Sequence, residues 1–198
     1  MGLGSGIEEQ RARSESQLSC AVSFLDPAGD GVGGNSPVNR SAFASTATER
    51  LRILERYRRI AMVGLSSNPF RPSHYAAIYL ISEGYDMVPV NPREAEILGR
   101  KSYASVTEIP APVEVVDIFR EPAAVPAIVE EAIAVGAKVV WMQLGVIHEA
   151  AAQRAREAGL QVVMDRCMKI EHARFFGGLN TIGMNTAVIT ARRRRAFA

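Results

Sequence analysis

Cysteine is scarce in this chain: of 198 residues only two are cysteine, Cys20 and Cys167. Two cysteines make no disulfide framework, and a reducing, cytoplasmic setting is expected. Long apolar runs are missing as well. None reaches the roughly 18 residues that a transmembrane helix needs, so no membrane partner is expected. The N-terminus has no continuous apolar stretch resembling a secretory signal, and Glu8, Glu9, Glu15, Asp26 and Asp30 make it too acidic for a transit peptide. Gly6 stands where N-myristoylation wants Ser or Thr. Nor does one sign of charge dominate. With 23 Lys and Arg against 21 Asp and Glu, the formal net charge is +2, which gives no reason to expect a nucleic-acid partner.

What is present is ordinary for a globular protein: 47% apolar and 22% charged residues. The length suits one well-cored domain. Residues 1–45 are rich in Gly and Ser, with "GDGVGGNSP" the extreme, and bury too little apolar surface to offset chain entropy. They are read as a disordered N-terminal extension. Residues 46–190 form the domain, and residues 191–198, with "RRRR" at Arg192–Arg195, a solvated basic tail. Order is expected to begin at "TATERLRILERYRR", where Leu51, Leu54 and Tyr57 recur at helical spacing.

From there strands and helices alternate. "RIAMVGL", "DMVPVN", "VEVVDIF", "KVVWMQ" and "QVVMD" read as strands. "HYAAIYLISEG", "EPAAVPAIVEEAIAVG" and "IHEAAAQRAREAG" read as helices stopped by Gly84, Gly136 and Gly159. Nearly continuous apolar strands imply burial on both faces of a parallel sheet. The expected fold is α/β: a Rossmann-like, doubly wound parallel sheet of about five strands with helices on both faces.

In such a sheet ligands bind outside the carboxyl ends of the strands, where the loops read "GLSSNPFRPSH", "NPREAEILGRKSY", "FREP", "QLGVI" and "DRCMKIEH". The first of these loops, "GLSSNPFRPSH", offers Gly64, Ser66, Ser67 and Asn68 just before a helix, a suitable phosphate acceptor stiffened by Pro69 and Pro72. A capped turn without a ligand is the plain alternative. The G-x-G-x-x-G of dinucleotide binders is absent, because Gly64, Ser66 and Pro69 stand at the glycine positions. Strand two ends Val90-Asn91-Pro92-Arg93, with no carboxylate before Glu94 to grip a ribose. The loops supply cations instead: Arg71, Arg93, Arg100, Lys101 and Arg120, all expected on the carboxyl edge and suited to a ligand with several phosphates. An NAD(P)- or flavin-dependent oxidoreductase on the same fold remains the alternative. A third reading is an interaction protein that has kept the fold and lost the ligand.

Taken together, "VGLSSNPFRPSH", "VPVNP", "DIFREP", "VVWMQLGV" and "VVMDRCMKIEH" resemble the small single-domain CoA-binding proteins of bacteria, relatives of the CoA-binding domain in the alpha subunit of succinyl-CoA synthetase. The resemblance covers about residues 48–185. It implies coenzyme A or acyl-CoA as the ligand, held by a non-catalytic, regulatory or carrier module. Gly64, Leu65, Ser66 and Ser67 match the loop that cradles the CoA phosphates, with Arg71 beside it. Val90, Asn91 and Pro92 match the segment against adenosine, with Arg93 turned to phosphate. Ile118, Phe119 and Arg120 match the pocket lining, and Trp141, Met142 and Gln143 the strand end near the pantetheine arm. The synthetase also needs a phosphorylated histidine in a second domain. His74, His148 and His172 belong to no such segment, so a self-contained acyl-CoA ligase is not expected.

Four other features carry expectations of their own. Cys167, near Arg166 and Lys169, is either a thiolate-prone site for a mixed disulfide with CoA or a half-buried structural cysteine. His172 with Asp165, Glu171 and Cys167 matches no zinc spacing, so a capping or surface role is expected. Trp141 is expected in the core, and "FFGGLNTIG" in a covering turn or edge element. The acyl group, the protein partner and the oligomeric state are left open.

Overall fold

A computed structural model describes residues 44–177 of the protein. The expectations for the N-terminal extension, the basic tail and most of "FFGGLNTIG" lie outside the described residues.

Helix α1 (Ala47–Arg56) starts where a capping box closes it: Thr46 Oγ1 accepts from the Glu49 N–H, and the Glu49 carboxylate accepts from the Thr46 N–H. The chain then runs β1 (Arg59–Val63), α2 (Pro72–Ser82), β2 (Asp86–Val90), a ribbon of β3 (Glu96–Ile97) and β4 (Arg100–Lys101), β5 (Val115–Ile118), α3 (Val125–Ala134), β6 (Val139–Met142), α4 (Glu149–Glu157), β7 (Gln161–Val163) and α5 (Met168–Phe176). Five strands make one parallel sheet in the order β2-β1-β5-β6-β7.

Both faces of the sheet are covered, as the apolar strands require. Ile60, Met62, Val115 and Trp141 pack with α1, α2 and α5; Ala61, Val63, Val116, Ile118 and Val140 pack with α3 and α4. The helices switch faces because β1 leads outward to β2 through α2, whereas β5, β6 and β7 lead the other way through α3 and α4. The turning point lies between β1 and β5, the crevice where such sheets hold ligands. The expected strands and helices are all found, and Gly84, Gly136 and Gly159 end their helices at positive φ. Trp141 is fully buried, with its Nε1–H donating to the Arg166 carbonyl at 2.7 Å.

Three local expectations are corrected. The stretch after β2, read as one loop, contains the β3–β4 ribbon, turned by Leu98 and Gly99 with φ of 54° and 70°. A Leu-Gly turn lacks the Asn-Gly or Asp-Gly signal that announces such a hairpin. "DRCMKIEH" was also read as loop, yet α5 begins at Met168 behind Cys167, a residue that gives no N-cap bond. Finally, Arg100 is not on the carboxyl edge. The ribbon carries it back to the start of β2, where it binds Asp86 at 3.0 Å and the Met87 carbonyl at 3.2 Å.

Candidate functional site

The loop after β1 leaves the sheet through Gly64, whose φ of +89° suits glycine. Space demands glycine too: a Cβ there would meet the Phe119 carbonyl oxygen at 3.1 Å and Arg120 Cδ at 3.0 Å. The strand end is held by Gly64 N–H donating to the Val90 carbonyl and Phe119 N–H donating to the Val63 carbonyl, each at 2.9 Å. Gly64, Asn91 and Phe119–Arg120 are thereby brought together across three adjacent strands, at the turning point of the sheet.

Leu65 plugs the loop into the core and is fully buried. Beyond it the chain stiffens itself. Asn68 N–H donates to Ser66 Oγ, Phe70 N–H to Asn68 Oδ1, and Arg71 N–H to the Asn68 carbonyl. The buried His74 ring meets the Ser66 carbonyl through Nδ1 at 2.9 Å. Pro72 then opens α2, and Arg71 at the N-cap supplies no side-chain acceptor. Pro72 has no N–H, and the His74 and Tyr75 N–H groups donate to the Arg71 carbonyl at 3.0 and 3.5 Å, so the Ser73 amide is the donor this helix start leaves open, at the positive end of the helix dipole.

From β2, the Asn91 side chain ties the second loop to the first: Nδ2 donates to the Leu65 carbonyl at 2.9 Å and to Glu94 Oε1 at 3.0 Å. Ser102 Oγ donates to the Asn91 carbonyl, and the Asn91 N–H donates to the Tyr103 carbonyl. Neither Ser102 nor Tyr103 was singled out from sequence, because only the ribbon brings them alongside β2. Glu94 was noted only as coming too late in the chain to grip a ribose. Yet its carboxylate reaches the Ser67 N–H at 3.3 and 3.4 Å.

The expected residues thus fall into two groups. Ser66, Ser67, Arg71, Asn91, Pro92, Arg93, Phe119 and Arg120 are at least partly exposed along the edge. Leu65, Val90, Ile118 and Met142 point into the core, so only their main chain reaches the edge. Gln143 is buried as well, its Nε2–H donating to Asp117 Oδ1 at 2.7 Å. Asp117 was not picked out in advance, hidden as it is within an apolar strand. It is fully buried, its second oxygen has no partner, and burial pushes its carboxyl up to about 7 despite the Gln143 bond.

At α5 the two alternatives for Cys167 resolve to the half-buried structural cysteine, and the expectation for His172 is corrected. Burial pushes the Cys167 thiol up, and the Asp117 charge adds to this. The amides of Ile170 and Lys169 and the Lys169 charge do not outweigh it, so the thiolate is disfavoured rather than favoured. His172 is not a surface residue: it is buried against Tyr79, Tyr85 and Phe176, with Tyr79 Oη 3.0 Å from Nδ1. Among the described residues no cluster of His, Cys, Asp and Glu could hold a metal ion. A concavity of about 350 Å³ lies between α3 and α4, but its one cation, Arg154, is already paired with Glu130 at 2.8 Å.

Fold and edge together define a Rossmann-like α/β domain whose carboxyl-edge loops carry polar side chains and cations. The CoA binding domain model matches residues 58–173, more than half of the chain, and the protein belongs to that family. An uncharacterized protein of Bacillus subtilis (strain 168), YneT, is 42% identical over 121 residues, 61% of this chain and 90% of the relative. Prb, the PH1109 protein redesigned for binding, has 47% identity and a TM-score of 0.67, over 68% of this chain and 94% of that one. A hypothetical protein from Pyrococcus horikoshii OT3 has 43% identity and a TM-score of 0.66, over 74% and 100%.

Proposed function

We propose that the protein binds coenzyme A or acyl-CoA along the carboxyl edge of its sheet, as a non-catalytic module with a regulatory or carrier role. The Gly64 turn carries this reading. It places an uncapped helix start, two serines and Arg120 at the turning point of a sheet whose family is defined by CoA binding. In this reading Gly64–Ser67 and the Ser73 amide take the phosphates, while Arg71, Arg93 and Arg120 supply positive charge. Asn91 and Pro92 lie against adenosine. Phe119 gives apolar contact, and the main chain at Met142 and Gln143 borders the pantetheine arm. The supporting physics is that a phosphate beside this helix start meets the Ser73 amide and the positive end of the helix dipole.

Thermal unfolding with and without ligand tests it. CoA should raise the melting temperature in a concentration-dependent way. Stabilisation by NAD without stabilisation by CoA would reject the reading in favour of the oxidoreductase alternative. One observation favours that alternative: Glu94 stands beside the first loop, although it lies beyond the end of β2.

A further inference from the structure

Glu94 sits where an anion belongs. The Ser67 N–H in the first loop donates to both of its carboxylate oxygens, at 3.4 and 3.3 Å. The second loop is shaped to put it there. Asn91 Oδ1 accepts from the Arg93 N–H at 3.0 Å, the Glu94 N–H donates to the Asn91 carbonyl at 3.4 Å, and Asn91 Nδ2 grips Glu94 Oε1 at 3.0 Å. The result is a hook that turns a carboxylate toward the β1–α2 loop.

Two properties of the contact matter. First, every donor on the Glu94 carboxylate is neutral, and among the described residues no Lys or Arg pairs with it. Its negative charge is therefore uncompensated beside a phosphate-accepting loop, where it repels a second anion. Second, the bonds to Ser67 are long and exposed, hence weak enough to be exchanged.

We propose that Glu94 sets an affinity threshold at this loop: its carboxylate occupies the anion position at Ser67 and must be displaced before a phosphate is seated. The displacement costs every anion about the same. A small phosphate has only the donors of the first loop to set against that cost. An extended nucleotide diphosphate, anchored elsewhere on the edge as well, gains enough additional contact to bind in spite of it. The ligand's identity rests on the CoA reading above; the displacement itself rests on the hydrogen bonds.

The test is isothermal titration of the full chain and of Glu94→Gln, with CoA and separately with inorganic pyrophosphate, at one ionic strength. Glu94→Gln keeps the shape and the Asn91 contact and removes the charge. It should bind both probes about tenfold more tightly, the scale of one screened surface charge. Glu83→Gln, the same charge change beyond the other end of α2, should leave both affinities unchanged. Equal melting temperatures without ligand show that folding is unaffected, and Glu94→Ala, which removes charge and acceptor together, should move affinity in the same direction. If the wild type binds CoA and Glu94→Gln binds it equally or less well, the inference is overturned; weaker binding would make Glu94 an acceptor for ligand hydroxyls. If neither protein binds CoA, the CoA reading falls and pyrophosphate decides: tighter binding by Glu94→Gln upholds the displacement, and equal or weaker binding overturns it.

Discussion

Gly64 shows how much of the site depends on one missing methyl group. Its backbone is left-handed, and the Phe119 carbonyl and Arg120 side chain occupy the space a Cβ would need. Gly64→Ala should cost about 1–2 kcal/mol for the backbone conformation alone, with further loss as the Phe119 strand end is pushed away. Urea unfolding should show the lower stability, and the CoA-induced rise in melting temperature should shrink as the loop shifts. Asp117 makes a prediction of a different kind. Its folded carboxyl is raised to about 7, whereas the unfolded group titrates near 4, its ordinary range. Between these values the folded state keeps a proton that the unfolded state has released. The Asp117 contribution is therefore fully favourable below about pH 4, declines as pH rises to about 7, and is level above. Asp117→Asn abolishes this dependence, so its stability relative to the wild type should be greater at pH 8 than at pH 5. Identical offsets at both pH values would show that Asp117 does not titrate in this window.

At the scale of elements, α1 and α5 are locked by a buried ion pair. Arg50 Nε donates to Glu171 Oε2 at 2.8 Å, and Arg174 Nη1 donates to Glu171 Oε1 at 3.1 Å. The Arg50 guanidinium also reaches the Ser45 carbonyl through Nη1, which anchors the chain just before α1. Glu171→Ala strands a buried guanidinium, a change that typically costs about 3–5 kcal/mol. Hydrogen exchange should report the loss first in α1 and α5 rather than in β1 or β5. None of this was legible in the sequence, since the two residues are 121 positions apart. The α2 helix, by contrast, was readable, although the pattern begins it at His74 and leaves Pro72 in the loop, whereas Pro72 is its first helical residue.

For the molecule as a whole, the strand order places the first and third loops side by side, so that Gly64 and Arg120 become neighbours although 56 residues apart in the numbering. Binding across that edge links loops from several strands and stabilises the folded sheet as a unit. At a CoA concentration one hundred times Kd, mass action contributes about 2.7 kcal/mol. Thermal unfolding should register this as a shift of several degrees, and Gly64→Ala should reduce it at the same CoA concentration. The relatives with solved structures cover 94% and 100% of their own length in this chain, which shows that the fold of this region recurs as a unit elsewhere.

Local pattern alone determined the alternation of five strands and their helices, the glycine stops and the polar turn of the first loop, because backbone period and turn chemistry are encoded by near neighbours. The recurring loop motifs also carried the family. Only the tertiary structure decided which residues meet. It turned Leu65, Val90, Ile118 and Met142 inward, carried Arg100 away from the edge on a hairpin, buried Asp117 with an unpartnered oxygen, and swung Glu94 onto the Ser67 amide. Those outcomes depend on side-chain burial and on contacts between segments distant in the chain, and the free energy of such contacts exists only once the sheet has assembled.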